Sequence, residues 1–384
     1  MRFLHTADWH VGRTIRGRSR AEEFAAALAA VVDAAVEESV DALLLAGDIH
    51  DQRSVSPEAD GLIFETLIKL SEKRIPVIAI PGNHDSPGRL VALAPLLARI
   101  QTTVVPKVLH PANGGVVEIS SRDGRERGLI ACVPFIPPRR FSDAAGVFED
   151  IAAGFIDFDA GMGAMMKAYE GVFRPDAVNI LMAHMFVSGS QPGGSERQIT
   201  LGSDYAVSPS RLPPTASYIA LGHIHRAQRV LGTGAEARYS GSLLQLDFGE
   251  RGQDKSVVLV EARAGKPPKV SELAIDAGRA LIDVSGTIDD LERLKAEAGN
   301  SYVRVSLSID RPTPGIADDI RRALPNALDV RLILPERADE EAPPSLRGLD
   351  PKEQFIAYYG ATHQSAPPDE LARAFDAVYE DIAG

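Results

Sequence analysis

Cysteine is nearly missing from these 384 residues. Cys132 stands alone, so no disulfide can close within the chain and no thiolate-rich metal site can form. Long apolar runs are missing too: none approaches the roughly 20 residues of a membrane span. The opening "MRFLHTADWH" lacks a signal-peptide layout, and together these absences predict a soluble, cytoplasmic protein. No GxxxxGK[ST] run occurs, so the chain carries no Walker-type ATPase of its own. Nor is there a basic excess. The 41 lysines and arginines face 53 acids, for a net charge of −12, which argues against broad, nonspecific nucleic-acid binding. The distribution is uneven, however: residues 1–20 hold five arginines against one acid, and residues 335–384 hold four basic against eleven acidic residues.

What the chain does have is one design used five times. "RFLHTADWH", "DALLLAGDIHD", "IPVIAIPGNHD", "NILMAHM" and "SYIALGHIH" are each a short apolar run that stops at a small residue and then a His, Asp or Asn. Runs of this length read as strands covered on both faces. "AEEFAAALAAVVDAAVEE" and "ADGLIFETLIKLSEK" separate the first three and read as helices. Strand, helix, strand, helix, strand is a right-handed α/β wind whose loops collect polar groups at the carboxyl ends of the strands.

Those ends supply a metal-site hypothesis. Asp8 and His10 are two apart, as are His223 and His225, so on an extended strand end each pair points to one side. Asp48 follows Gly47, Asn83 follows Gly82, and His184 ends a strand. Four imidazoles, two carboxylates and one amide are too many for one ordinary zinc site, which takes about four ligands. If Asp48 bridges, they divide into Asp8, His10, Asp48 and His225 on one ion and Asp48, Asn83, His184 and His223 on the other. Nitrogen and oxygen donors without thiolate suit Mn²⁺, Fe²⁺ or Zn²⁺ better than Ca²⁺. Two cations roughly 3.5–4 Å apart can clamp a phosphate and make hydroxide at neutral pH, which fits phosphoester hydrolysis. His84 is then left beside the metals as the natural general acid, with Asp85 orienting it. His5 reads as structural or supporting, and His50, His110 and His363 as surface residues. Asp51 is either support for the site or a helix-start acid.

From about residue 229 the texture changes to short alternating strands, which predicts a second, more antiparallel sheet. Residues 279–335 repeat a smaller strand–helix cycle and read as an added module. "ERADEEAPPSLRGLD" reads as a linker, followed by two short helices, the first opened by Asp350, Pro351 and Glu353 as an N-terminal cap. Leu371, Phe375, Val378 and Ile382 share a face of the last helix.

The series "DWH", "GDIHD", "GNHD", "AHM" and "GHIH" resembles the calcineurin-like metallophosphoesterases, and "LHTADWHVGR" and "YIALGHIHRAQ" are similar to their SbcD-type nuclease branch. The resemblance implies a four-layer αββα sandwich with a small α/β capping domain and a C-terminal helical tail, divided at 1–278, 279–335 and 336–384. It implies two Mn²⁺ ions on the seven residues named above, with His84 as the catalytic histidine. The implied activity is duplex-end exonuclease and single-strand or hairpin endonuclease in DNA repair and recombination. The implied partners are DNA, a second copy of the chain, and an SbcC-type ATPase with a coiled coil. Arg13, Arg16, Arg18 and Arg20 would then touch DNA phosphates, with Arg139 and Arg140 as weaker candidates. The stripe on the last helix, with Phe355 and Tyr359, would clasp the partner, and Leu62, Leu67, Leu70, Leu93 and Leu97 would form the dimer surface. The competing readings are a small-substrate or cyclic-nucleotide phosphoesterase and a non-catalytic scaffold.

Overall fold

A computed structural model of the chain describes residues 1–137, 140–148, 157–197, 201–202, 205–334, 350–363 and 365–383. Arg139 and nearly all of the expected linker lie outside them. The chain divides into two compact units, residues 1–307 with 314–332, and residues 308–313 with 333–384.

The first unit is built on two six-stranded sheets. One runs β14-β13-β1-β2-β3-β4, from β1 (Arg2–Thr6), β2 (Ala42–Ala46), β3 (Val77–Ile80), β4 (Thr102–Val104), β13 (Ser256–Arg263) and β14 (Lys266–Ala274). The other runs β11-β12-β10-β7-β6-β5, from β5 (Val116–Ser120), β6 (Arg127–Val133), β7 (Val178–His184), β10 (Tyr218–Gly222), β11 (Gln228–Arg229) and β12 (Ala237–Tyr239). A short parallel pair, β8 (Phe186–Val187) and β9 (Ala206–Val207), stands apart.

The continuous apolar runs are explained by burial on both faces. Leu44, Ile78 and Ile80 point between the sheets and meet Ile130, Cys132, Ile180, Met182 and Tyr218. Their neighbours Leu43, Leu45, Val77 and Ala79 point outward, under α1 (Ala21–Glu37) and α2 (Pro57–Glu72). Here Phe24, Leu28, Val31, Ile63 and Leu70 close the core, with α3 (Pro87–Leu97) alongside. On the far side, α4 (Phe141–Ala145) and α5 (Phe158–Glu170) bring Met162, Met165, Met166 and Tyr169 against Ala131, Val133, Leu181 and Ile219. The layers are therefore αββα.

Two expectations need correction. The strands after residue 229 form no sheet of their own: β11 and β12 extend the second sheet, whereas β13 pairs antiparallel with β1 and carries β14 to the edge of the first. The expected wind holds for β1, β2 and β3, which lie parallel and adjacent, while the other two motif strands, β7 and β10, lie in the facing sheet. Alternation shows that a strand is half covered, but not which open edge it joins. The leucines expected on a dimer surface are core instead. Leu67, Leu70 and Leu97 are buried and Leu62 and Leu93 pack against them, leaving Ile68, Val91 and Leu96 as the exposed apolar residues of α2 and α3.

A smaller three-stranded sheet, β15 (Leu281–Gly286), β16 (Tyr302–Ser308) and β17 (Ala327–Ile333), alternates with α6 (Leu291–Ala298) and α7 (Ile316–Ala323). In the second unit, α8 (Pro351–His363) opens on the expected cap: Asp350 Oδ1 accepts from Glu353 N at 2.9 Å and Glu353 Oε2 from Asp350 N at 3.2 Å. Phe355 of α8 stacks on Phe375 of α9 (Asp369–Ala383) with ring centres 4.4 Å apart, while Leu371 and Val378 remain exposed. Among the described residues no helix is long and apolar enough to cross a membrane.

Candidate metal centre

The parallel strands β1, β2 and β3, with β7 and β10 from the facing sheet, all end at the same place. Asp8 and His10 follow β1, Asp48 follows β2, Asn83 and His84 follow β3, His184 closes β7, and His223 and His225 follow β10; all eight are buried. The extended geometry expected for Asp8 and His10 is not what positions them. Asp8, His10, Asp48 and His223 have left-handed backbone, with φ of 51°, 47°, 48° and 108°. Such a conformation costs a residue with a Cβ about 1–2 kcal/mol, so the surrounding contacts must enforce it. Asp8 N donates to Gly47 O and His10 N to Asp48 O, both at 3.0 Å, which binds the first two loops together. Gly47 and Gly82 are required for close approach: a Cβ on either would overlap His184 or the Asp48 carboxylate.

Proton positions follow from the partners of the outer ring nitrogens. His184 Nδ1 faces the Ala46 carbonyl at 2.8 Å, which only accepts, so Nδ1 carries the hydrogen and Nε2 presents a lone pair. That lone pair points at Asn83 Oδ1, 3.1 Å away, and Asp48 Oδ2, 3.5 Å away. His225 Nδ1 faces the Glu250 carboxylate at 3.0 Å, which turns its Nε2 lone pair toward His10 Nε2, also at 3.0 Å. Imidazole nitrogens aimed at oxygens and at each other, in a buried space, offer a cation its donors. Three clusters of donor atoms within 4.8 Å of one another meet there: Asp8, His10 and His225; His10, Asp48 and His84; and Asp8, Asp48 and His184. Asp48 belongs to two of them. The donor set fits divalent metal ions.

The electrostatics tie the donors to one another, so that a cation there competes with protons. Burial pushes the Asp8 carboxyl up to about 7. It works the same way on Asp48, but His184, His10 and His84 hold that group well below the usual carboxylate range. Burial opposes a charge on His184, and the Asp48 carboxylate reverses this, raising the imidazole to about 9. Burial lowers His10 to about 4.

His84 Nδ1 bonds to the Asp51 carbonyl at 2.6 Å, and its ring lies edge-on to His10 with centres 4.6 Å apart. Asp85 does not orient it, contrary to expectation. The Asp85 carboxylate accepts from the backbone N–H groups of Ile49, His50 and Gly82 at 2.9–3.1 Å and pairs with His50 Nδ1 at 3.1 Å. It ties the second and third loops together. His50 is accordingly buried rather than on the surface, with Asp60 3.5 Å from its other nitrogen. Asp51 supports the site: its Oδ1 lies 3.4 Å from His10 Nδ1, off a well-directed hydrogen bond, and 3.1 Å from Arg13. His5 is structural, with Nδ1 3.0 Å from the Tyr218 hydroxyl.

Sequence reasoning missed a buried network behind His225. Glu250, fully buried, accepts from Lys255 Nζ at 2.6 Å and Ser242 Oγ at 3.2 Å, and Ser195 bonds to it as well. Glu196 accepts from the backbone N–H of Gly193 at 2.6 Å and of His225 at 2.9 Å. Arg197 reaches to 3.4 Å from His84 Nδ1. The only local signal was acids beside glycine, in "GGSER" and "FGERG".

The arginines of the first loop are largely committed within the protein. Arg20 is buried, paired with Glu23 at 2.8 Å, which removes it from any DNA surface. Arg13 bonds to Asp51, and Arg18 to the Pro325 carbonyl at 2.9 Å. Arg18, Arg20 and Arg279 all lie 5.2–5.8 Å from the centre of the Tyr302 ring, so this loop fastens the three-stranded module. Arg16 stays exposed, 4.0 Å from Asp329.

Comparison with known proteins adds a lineage to this geometry. Residues 1–227 match the family model "Calcineurin-like phosphoesterase", and residues 278–363 match "Type 5 capsule protein repressor C-terminal domain". The chain is 31% identical to the SbcD chain of the SbcCD nuclease of Rhodobacter capsulatus, covering 94% of each. It is 29% identical to the corresponding chain of Bacillus subtilis, covering 96% of this chain and 95% of the relative. For Escherichia coli K12 the values are 30%, 89% and 86%. With a phosphoesterase model matching over half its length and a donor set made for divalent ions, the chain belongs to the calcineurin-like phosphoesterases, metal-dependent hydrolases, and within them to the family of SbcD nuclease chains.

Proposed function

We propose that this chain is a two-metal DNA phosphodiesterase, cutting duplex ends as an exonuclease and single strands or hairpins as an endonuclease. The observation that carries this reading is the set of imidazole nitrogens turned on Asp48, Asn83 and each other in a buried space. Asp8, His10, Asp48 and His225 hold one ion, and Asp48, Asn83, His184 and His223 the other, with Mn²⁺ as the expected metal. Divalent ions there supply charge neutralisation at the phosphate and an acidified water. The remaining work falls to the protein. His84 delivers a proton from Nε2 to the leaving oxygen, while its Nδ1–H stays bonded to the Asp51 carbonyl. The loop bonds from Asp85 hold Asn83 and Asp48 in place.

DNA as substrate is supported by the nuclease names of the relatives. Those relatives are subunits of SbcCD, which supports an SbcC-type ATPase as partner. The exposed Leu371 and Val378 of α9 suit a coiled coil, and the exposed Ile68, Val91 and Leu96 suit a second copy of the chain. A division at 1–278, 279–335 and 336–384 goes with this assignment.

Cleavage of a labelled DNA hairpin by the purified chain with Mn²⁺, beside Asp48→Ala, tests it. The wild type cuts, and the variant, missing the carboxylate shared by two donor clusters, loses at least a hundredfold in rate. Equal cutting by both would remove Asp48 from the centre. Hydrolysis of a small phosphodiester by a wild type that leaves DNA intact would keep the chemistry and overturn the substrate.

A further inference from the structure

Beside the metal centre the first unit opens a cavity of about 460 Å³, inside the range typical of small-ligand sites. Asn83 and Asp85 lie in its wall, so the cavity begins where the donor set ends. Its sides are apolar, formed by Leu109, Phe135, Ile136 and Val147. Phe135 is held rigid: its ring stacks on His223 with centres 5.9 Å apart and on Tyr205 at 6.1 Å, and its N–H donates to Pro81 O at 3.2 Å.

Charge singles this cavity out. Arg53, Lys107 and Arg140 line it, all exposed, and among the described residues none of the three forms an ion pair. In a chain of net charge −12, whose surface arginines mostly sit against acids, three unpaired cations around one apolar hollow make a positive rim that suits an anionic ligand. The partner must also have a flat apolar part large enough for the hollow. A phosphate with nothing attached would leave the apolar walls unused, and an aliphatic chain would leave the cations unused. A nucleotide uses both.

Resting on the phosphodiesterase reading above, we infer that this cavity is a nucleotide subsite. It takes the unpaired base next to the phosphate under attack, with Arg53, Lys107 and Arg140 on the flanking phosphates. The base enters only when it has left its helical stack, so the subsite favours frayed ends, hairpin loops and single strands over intact duplex interior. Recognition by apolar walls and charge carries little base identity, so cleavage should be indifferent to sequence.

The test compares two ligands that differ only in the base, titrated calorimetrically into the Mn²⁺-loaded full chain. They are thymidine 5′-monophosphate and 1-O-methyl-2-deoxyribose 5-phosphate. The wild type should prefer the nucleotide by roughly tenfold. Val147, 37% exposed at the cavity edge, accepts a larger side chain without disturbing the core, and Val147→Trp fills the hollow. That variant should bind the two ligands within twofold of each other. Lys107→Ala, a milder change, should weaken both ligands alike and flatten the salt dependence. Equal binding of the two ligands by the wild type, or a preference that survives Val147→Trp, overturns the subsite. Hydrolysis of bis-p-nitrophenyl phosphate is followed in parallel. If it is absent while the base preference and its loss in Val147→Trp persist, the subsite stands and the hydrolytic reading fails. If it is present and neither ligand binds, the subsite fails alone.

Discussion

His84→Ala is expected to slow DNA cleavage by about 10²–10⁴-fold, the usual contribution of a positioned general acid. The same variant should lose far less on bis-p-nitrophenyl phosphate, because nitrophenolate leaves without a proton whereas a sugar alkoxide does not. This contrast separates two roles that the geometry alone permits. His84 shares a donor cluster with His10 and Asp48, so it is close enough to ligate an ion. Its outer nitrogen is fixed on the Asp51 carbonyl, however, which leaves Nε2 to exchange the proton. A ligand's removal would cost both substrates equally and release metal. A general acid's removal costs only the poor leaving group and leaves the metal content at the wild-type value. Equal losses on the two substrates would end the general-acid assignment, and rate ratios with metal analysis of the same protein decide it.

Glu250→Ala should destabilise the first unit by about 3–5 kcal/mol, the typical result of stranding one member of a buried ion pair. Lys255 Nζ would keep only the His225 carbonyl at 3.1 Å and Ser242 Oγ at 2.9 Å, with its charge unmatched. His225 would lose the carboxylate beside its Nδ1 and keep only Ser195 Oγ at 2.6 Å, so metal affinity should fall about 10–100-fold. Burial alone would raise the Glu250 carboxyl, yet Lys255 and His225 hold it far below its ordinary value of 4.5. The sign follows: this contribution is full above about pH 4.5 and is lost as the pH falls toward the depressed folded value. Glu250→Gln should remove that acid dependence while costing less at pH 7, since the amide oxygen still accepts. Chemical denaturation of the three proteins at pH 7 and pH 4 measures both effects, and a change below 1 kcal/mol in Glu250→Ala would show the network to be dispensable.

The five ligand-bearing ends were legible because each closes a run that is apolar on both faces, and only strands sandwiched between helices and a second sheet demand that. Leu43, Leu44 and Leu45 read as one run, although they face two different cores. What the pattern cannot carry is partnership over long separations. Asp85 lies next to His84 in the chain, but its carboxylate is taken by Ile49 and His50, some 36 residues away. Arg20 looked like a free cation in a basic loop, whereas Glu23 and the Gln245 carbonyl claim it. His50 carried no apolar context to mark it as buried. Glu250 sits in a glycine-flanked loop with neither strand nor helix periodicity, so nothing local distinguished it from a solvated acid. The left-handed turns at Asp8 and Asp48 were invisible for a related reason, since Asp tolerates that conformation without announcing it.

The place of β1 in its sheet bears on how the chain can be made and cut. The strand leading to Asp8 and His10 is made long before β13, yet it is an interior strand, hydrogen-bonded to β2 on one side and to β13 on the other. Arg2 meets Glu261 and His5 meets Val258, so half of its backbone groups wait for residues more than 250 positions later. Until Arg263 has been synthesised, a flat apolar strand edge stands open, the kind that recruits a neighbouring chain. The same holds for a fragment trimmed at residue 227, where the phosphoesterase match stops: it would keep all seven proposed ligands and lose the strand that shields them from aggregation.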